Sequence, residues 1–598
     1  MTARLAQRGC IGARRPMRHR AAFLAGVVAI ACADAAVGAT YYVSADATSI
    51  GEGSRTHPFR SLEDVERASR AGDTIIVMPS PFGVPPLDGG IALKPGQRLI
   101  GAGPAVIGRP PESAAPRIGN TRDSRLAGDA VRLADATTVD NLVIASARRA
   151  GVYGLDAADV RIENNDIAAA NESCTPGLSI HFPTQSTWTP LQNGFAAIMI
   201  DFDSVRTSVV VDGNFIHDSS CSDGIDVRAG GHADIFARID GNVITRLKQG
   251  AAVGSLLGIG LQTRDDAALT VSSSHNAQTY LGNLFPDPAA TQGDAAWPAG
   301  DRAGADCEGV FTGQTGGTIV WNIDRNTFAH GIGGTSCNGA QFLVEMGAAQ
   351  LHVIVRDSIF EDNPGDMIEE DNLGSDSLMD VMLDNVTVRH ATHVQPLQRE
   401  PPVPMLALDT LTSRSVCMSQ FSVGPRAVTR FAMTRSHFSD CAGDGILAFH
   451  ASLPGLGAGP GAGSAIQIDH SSIEHVGEFA LHWINYSALD DLELKVQGSR
   501  LGGAVGFAAV SVDQAPGARL KESRIDLGGG VLGSLGLNCF DNATAVAVSV
   551  PGGRPSYAWN WWGSPTGPEG RNAGEFAAGA VNAESLEWAP SSCETPTN

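Results

Sequence analysis

Lysine is almost missing from this 598-residue chain. Lys94, Lys248, Lys495 and Lys521 are the only four, so arginine supplies nearly all of the 42 basic residues. Acidic residues number 64, and the formal net charge is −22. Such a chain has no basic stripe with which to neutralise phosphates, which excludes a nucleic-acid partner. Aromatic residues make up only 6%. Beyond the N-terminus no stretch reaches ~18 apolar residues without a charge, so no membrane span is expected. There is no C-x-x-C, which argues against zinc knuckles and dithiol redox motifs. His217, His232, His352 and His450 are scattered without metal-ligand spacing. The remaining composition is not that of a disordered chain, because 43% is hydrophobic. Glycine, by contrast, is abundant. The 70 glycines exceed the usual ~7% and follow no G-X-Y period, which excludes collagen.

The N-terminus carries Arg14, Arg15, Arg18 and Arg20, then the apolar run Ala21 to Ala31, then small residues at Val37-Gly38-Ala39. This is the layout of a signal peptide, residues 1–39, and it predicts a secreted or periplasmic protein. Cleavage after Ala39 removes six Arg and one Asp, which takes the charge from −22 to −27. It leaves eight cysteines, an even number suited to disulfides in an oxidising compartment.

A template recurs along the body: apolar, any, apolar, two residues, Asn or Ser, any, apolar. The polar position falls at Asn165, Asn214, Asn242, Asn326, Ser358, Ser436, Ser471, Ser499 and Ser523, and Val386 beside Asn385 occupies the same place between apolar flanks. Most spacings are one, two or three units of roughly 24–28 residues. Alternation of period two marks strands with one face inward. A rung of this kind cannot bury its own face, but stacked rungs ~4.8 Å apart bury a continuous core. Asn side chains stacked at one corner can pair as amide ladders. The expected fold is all-β, a single-stranded parallel β-helix of ~14–18 coils, rather than the several domains that length alone suggests.

Both ends fit a solenoid that must be capped. Tyr41-Tyr42-Val43-Ser44 reads as a strand, and Ser61 is a good N-cap for a short helix with Leu62, Val65 and Ala68 on one face. Residues 40–90 are therefore read as the cap and first coil. Trp559, Trp561 and Trp562 stand where the last coil needs covering. Tyr41 through Val77 resembles the N-terminal segment of secreted bacterial right-handed β-helix proteins of the pectin-lyase-like superfamily, and Asn560-Trp561-Trp562-Gly563 is similar to their C-terminal motif. The resemblance covers roughly residues 41–570, with the β-helix body at 91–570 and a tail at 571–598. It implies the right-handed fold and export. That superfamily holds lyases, hydrolases, epimerases and non-catalytic adhesins, so the fold leaves function open.

With coils of ~25 residues, sequential pairing places cysteines one or two coils apart, near enough to bond if they share a corner. The expected pairs are Cys174–Cys221, Cys307–Cys337, Cys417–Cys441 and Cys539–Cys593. Insertions interrupt the repeat near 171–197, 276–318, 395–430 and 451–464. The first two carry Phe182, Trp188, Tyr280, Phe285 and Trp297. Trp188, Trp297 and Tyr280 are candidates to stack on sugar faces, and the alternative is that they pack the loops onto the rod.

Three constellations could carry chemistry. Asp362, Asp366, Glu369, Glu370 and Asp371 form an acidic cluster that could converge on Ca²⁺, with a solvated acidic turn as the alternative. Asp223-Gly224-Ile225-Asp226, Asp265-Asp266 and His330-Gly331-Ile332 resemble, in the right order, the aspartate and histidine motifs of polygalacturonase-like hydrolases. This implies Asp223, Asp226, Asp265, Asp266 and His330 as catalytic residues, with two carboxyls as acid and base. The pattern departs from that family at Cys221-Ser222, in the long gaps between motifs and in lacking an Arg-x-Lys downstream. Lyase chemistry would need an Arg or Lys base in a motif, and none is recognisable. The leading expectation is a monomeric protein that binds an extracellular polysaccharide along one face and could cleave it as a hydrolase or lyase. The rival is a non-catalytic adhesin or display rod.

Overall fold

The computed structural model describes residues 38–48, 51–110, 112–184, 187–248, 255–282, 306–332, 336–392, 414–451, 463–485, 491–502, 508–514, 524–540, 546–549, 555–563 and 589–593. The predicted export segment up to residue 37 lies outside them.

Three long sheets make up the body, with 15, 12 and 16 strands. They are called sheets I, II and III here. One coil shows the plan. Arg206–Asp212 lies in sheet I, Phe215–His217 in sheet II and Ile225–Ala229 in sheet III, after which Asp234–Asp240 returns to sheet I in parallel register with Arg206–Asp212. The protein is a right-handed parallel β-helix. Alternate residues point inward. Val209, Val211, Ile216, Ile225 and Val227 of this coil are buried in one core that runs from Val43 to Trp562.

The turn from sheet I to sheet II carries the ladder. The Asn165 amide donates from both backbone and side chain to the side-chain oxygen of Asn214 (3.0 Å each), and Asn214 does the same to Asn242 (2.9 and 3.0 Å). The series continues through Asn276, Asn326 and Ser358, then from Val386 through Ser436, Ser471, Ser499 and Asn538 to Asn560. Asn276, Asn538 and Asn560 were not among the expected ladder positions, and Ser523 lies outside the described residues. Asn276 splits the 84-residue gap between Asn242 and Asn326 into steps of 34 and 50. Long steps are thus single coils with insertions rather than missing coils. The residue before each ladder position is left-handed, as at Gly213 (φ 63°) and Gly241 (φ 64°), where a glycine meets that need without strain.

At the N-terminal end, helix α1 (Leu62–Ala68) is capped by Ser61, whose hydroxyl accepts from the Asp64 amide at 3.1 Å. Leu62 and Val65 are buried against the first coils, but Ala68 is exposed because the helix ends there. At the other end, Trp562 stacks on Phe540 at 5.0 Å and meets Tyr557 edge-on. Trp559 remains 44% exposed. The four sequential cysteine pairs are all disulfides in the structure. Cys307 and Cys337 face each other on neighbouring strands of sheet III. Two expected insertions are narrower than drawn. Ala277–Thr279 and Asp306–Gln314 are rungs inside 276–318, and Met418–Ser422 is a rung inside 395–430. The stretch 171–197 contains an antiparallel hairpin, Pro176–Thr184 with Thr187–Gly194. Among the described residues no helix is long and apolar enough to cross a membrane.

Candidate functional site

The outward residues of a solenoid sheet normally face water. Over much of sheet III they do not. Strands such as Met418–Ser422, Ile446–His450 and Leu481–Asn485 are buried on both faces. Their sequences carry apolar residues at both parities, which is the signature of a strand covered on both sides. Two apolar patches lie on the outer face. Leu178 of the hairpin packs with Leu257, Phe311 and Leu343. Further along, Val416, Phe421, Leu447, Phe449 and Ile484 form the second patch.

Polar groups occupy the rest of this face. In strand Ile225–Ala229, Ile225 and Val227 enter the core, so Asp226 and Arg228 point outward. Register places Asp226 beside Met199 and Gly260, and Arg228 beside Asp201. Arg228 pairs with Asp201 at 2.6 Å, and the Tyr153 hydroxyl donates to Asp201 at 3.2 Å. Arg149, paired with Asp129, lies over the rings of Tyr153 (4.7 Å) and Phe195 (4.5 Å). Asp223 accepts from the Leu257 amide at 2.9 Å. Its carboxyl also faces the Asn193 side chain, and Asp226 faces the Gly260 amide and Asp223, all in loose geometry. Gly260 leaves the room that Asp226 needs, since a Cβ there would lie 2.5 Å from Oδ1.

The electrostatic result is a buried carboxyl pair. Burial, reinforced by the neighbouring Asp226, pushes Asp223 well above the usual carboxylate range. Burial also pushes Asp226 well up, with Asp201 adding to the effect and Arg228 opposing it. The pair therefore holds a proton at a pH where free aspartates have lost theirs. One group that can donate a proton beside one that can accept is the minimum for acid–base chemistry.

The other predicted catalytic residues are elsewhere. Asp265 and Asp266 sit at the corner between sheets III and I, largely exposed, where Asp265 accepts from the Gly231 amide at 3.0 Å and Asp266 approaches His232. His330 sits at the corner between sheets II and III. It pairs with Asp362 at 3.1 Å and stacks on Tyr280 at 5.3 Å. Asp265 and Asp266 thus occupy a different corner from Asp223, His330 lies at the same corner as Asp223 but three coils further on, and only Asp223 and Asp226 meet. The Ca²⁺ set is likewise dispersed, because neighbouring residues of a strand face opposite ways. Glu370 points into the core and receives the Gln420 amide at 2.9 Å. Glu369 and Asp371 point outward to Asn338 (2.7 Å) and Gln341 (2.9 Å). Asp366 accepts from the Val416 amide and the Ser419 hydroxyl, while Asp362 sits between His330 and His390. Among the described residues no three His, Cys, Asp or Glu side chains converge on a metal position. Trp188 lies in the hairpin strand Thr187–Gly194, Tyr280 is 44% exposed at its corner, and Trp297 lies outside the described residues.

One cluster was not foreseen. The His482 ring sits between Asp444 (Nδ1, 3.3 Å) and Asp513 (Nε2, 2.7 Å), with Phe479 tilted against it at 4.5 Å. Burial acts to lower His482, but the two carboxylates outweigh it and push it up to about 9. The three come from three different coils, so no local motif announces them.

No protein-family model matches the chain, and no curated protein sequence matches it. Among solved structures, a GH136 lacto-N-biosidase from Eubacterium ramulus is similar over 72% of this chain and 67% of its own, with 11% identity and a TM-score of 0.30. The pectate lyase Pel9A is similar over 81% of this chain and 80% of its own, with 11% identity and a TM-score of 0.26. At these scores neither likeness bears on chemistry.

Proposed function

We propose that this is an exported β-helix protein that binds an extracellular polysaccharide along the outer face of sheet III and cleaves it with Asp223 and Asp226. The observation that carries the reading is the buried carboxyl pair, raised chiefly by burial, with Asp226 repelling charge on Asp223 and Asp201 repelling charge on Asp226, and held beside Arg228. The protonated member gives its proton to the glycosidic oxygen as the C–O bond breaks, and its ionised partner takes a proton from the water that attacks the anomeric carbon. A mature charge of −27 favours a neutral polymer, or an acidic one bridged by Ca²⁺, over a bare polyanion. The test incubates the mature protein with neutral and acidic polysaccharides, with and without Ca²⁺. New reducing ends without unsaturated sugar support hydrolysis. Unsaturated ends make it a lyase. Full cleavage by an Asp226→Asn protein removes the pair from the chemistry.

The adhesin or display-rod reading is favoured by one observation, the complete burial of Asp226. It predicts binding without product from any polymer.

A further inference from the structure

Near the C-terminal end the corner after sheet I carries an insertion. Lys495 and the ladder residue Ser499 are four residues apart, and the register partner of Lys495 is Asp526. The next ladder residue is Asn538, twelve residues after Asp526, so eight extra residues stand at this corner. Five of the nine residues from Gly528 to Gly536 are glycine, a composition that ordinarily leaves a loop loose. Here the buried Asp526 carboxyl gathers it. Oδ1 accepts from the amides of Gly528 (3.1 Å) and Gly530 (2.9 Å), and Oδ2 from those of Leu532 (2.9 Å) and Ser534 (3.1 Å). The Ser556 hydroxyl donates to Oδ1 at 3.1 Å. The Gly529 amide donates to the Ser534 carbonyl and the Leu537 amide to the Trp559 carbonyl, each at 2.8 Å.

With these amides turned inward, the loop shows apolar side chains outward. Val531 is 83% exposed, more than any other large apolar residue among the described residues, and Leu535 is 64% exposed. Leu537 and Trp559 flank them at 43% and 44%, and the Trp559 ring lies 3.6 Å from where a Cβ on Gly529 would stand. Leu537 (φ 60°) and Trp559 (φ 59°) hold the left-handed position that Gly213 and Gly241 fill without strain, so this apolar surface is kept at a conformational cost. No charged residue occurs from Leu527 to Phe540 or from Pro555 to Gly563. These features select the partner. A protein interface joins apolar contact to hydrogen bonds, and here the loop's donors are largely taken. A second copy would bring together two chains of mature charge −27. Hydrocarbon asks for neither hydrogen bonds nor charge, and a tryptophan at the edge suits the boundary between headgroups and acyl chains.

We propose that the Gly528–Leu537 loop docks the C-terminal end of the rod on a lipid surface of no net charge. Val531 and Leu535 enter the acyl boundary, and Trp559 sits at headgroup level. Asp526 keeps the loop in one shape, so little ordering is left to be done on contact. Such docking is peripheral and needs no membrane-spanning segment.

The test mixes the mature, disulfide-intact protein with phosphatidylcholine vesicles and separates bound from free by flotation on a density gradient. The wild type should float with the vesicles. A Val531→Asp/Leu535→Asp double variant should bind at least about tenfold more weakly, and a milder Val531→Ser/Leu535→Ser variant should weaken in the same direction. Phe236→Asp, at an exposed apolar position of sheet I, should float as the wild type does. Far-ultraviolet circular dichroism should be the same for all four proteins. A wild type that stays in the dense fraction overturns the docking. So do loop variants that float as well as the wild type. Sedimentation velocity without lipid gives the last arm: a dimer that the loop substitutions dissolve would assign this surface to a second copy and overturn the lipid reading.

Discussion

Sheets I and III are built from the same alternation, yet their outer faces have opposite characters. On sheet I the outward residues meet water. Phe236 is 46% exposed, Met382 is 37% exposed, and Arg238 reaches across coils to Asp212 at 2.6 Å. On sheet III most of the equivalent positions are sealed, Leu155 at 61% exposure being an exception near the N-terminal end, and carboxyls, amides and a histidine are sealed with them. Ordinary solenoid physics explains the first face and gives no reason for the second. Burying Asp223, Asp226 and His482 opposes stability unless each has a partner or a task. The contrast therefore separates the side of the rod that holds the fold from the side that holds the chemistry.

The sharpest way to break this contrast is Asp226→Asn. Activity on a susceptible polysaccharide should fall by on the order of 10²–10⁴. Stability should move the other way. A carboxyl raised by folding penalises the native state above its unfolded pKa, so the variant should gain on the order of 1–3 kcal/mol at neutral pH and nothing near pH 4. Denaturant melts at the two pH values measure this, and loss of stability in the variant would contradict it.

His482 comes next. Its folded pKa of about 9 lies above the unfolded value, so its contribution is complete below about pH 6.5 and is lost as pH rises through about 9. The groups facing it are Asp444, Asp513 and Glu478. Between those limits the wild type should lose about 3 kcal/mol that a His482→Gln protein does not. Matching pH profiles for the two proteins would mean the cluster is inert.

A third change tests the closeness of the pocket. Gly260→Ala puts a methyl 2.5 Å from Asp226 Oδ1 and should cost about 1–3 kcal/mol in a thermal melt. The smallest effect belongs to the open face. Arg238→Ala should change stability by less than about 1 kcal/mol, and less still in high salt. A larger loss there would show that sheet I is not the passive side.

Much of the rod was legible because its signal is local. Val209, Val211, Asn214 and Ile216 declare a rung within eight residues, and the coil spacing placed the cysteine pairs. The site was legible only where its groups are neighbours in sequence, as with Asp223 and Asp226. Tyr153, Asp201 and Arg228 come together through register across three coils, and Asp444, His482 and Asp513 across another three. Asp265 failed to join because it sits at another corner, and His330 because it lies three coils further along the same one. Order along the chain says nothing about which corner of a coil a residue occupies. The insertion near 171–197 was legible, but its folding into an antiparallel hairpin was not.

The amide ladder has a direction. Each backbone amide donates forward to the side chain of the next coil, from Leu142 to Ser358, and again from Val386 to Asn560. Aligned bonds polarise one another, so each run strengthens as it lengthens. Valine at 386 has no acceptor to offer, and the alignment restarts there. Electrically the rod is two batteries in series with a gap between them, while the strands and core run on unbroken across that gap.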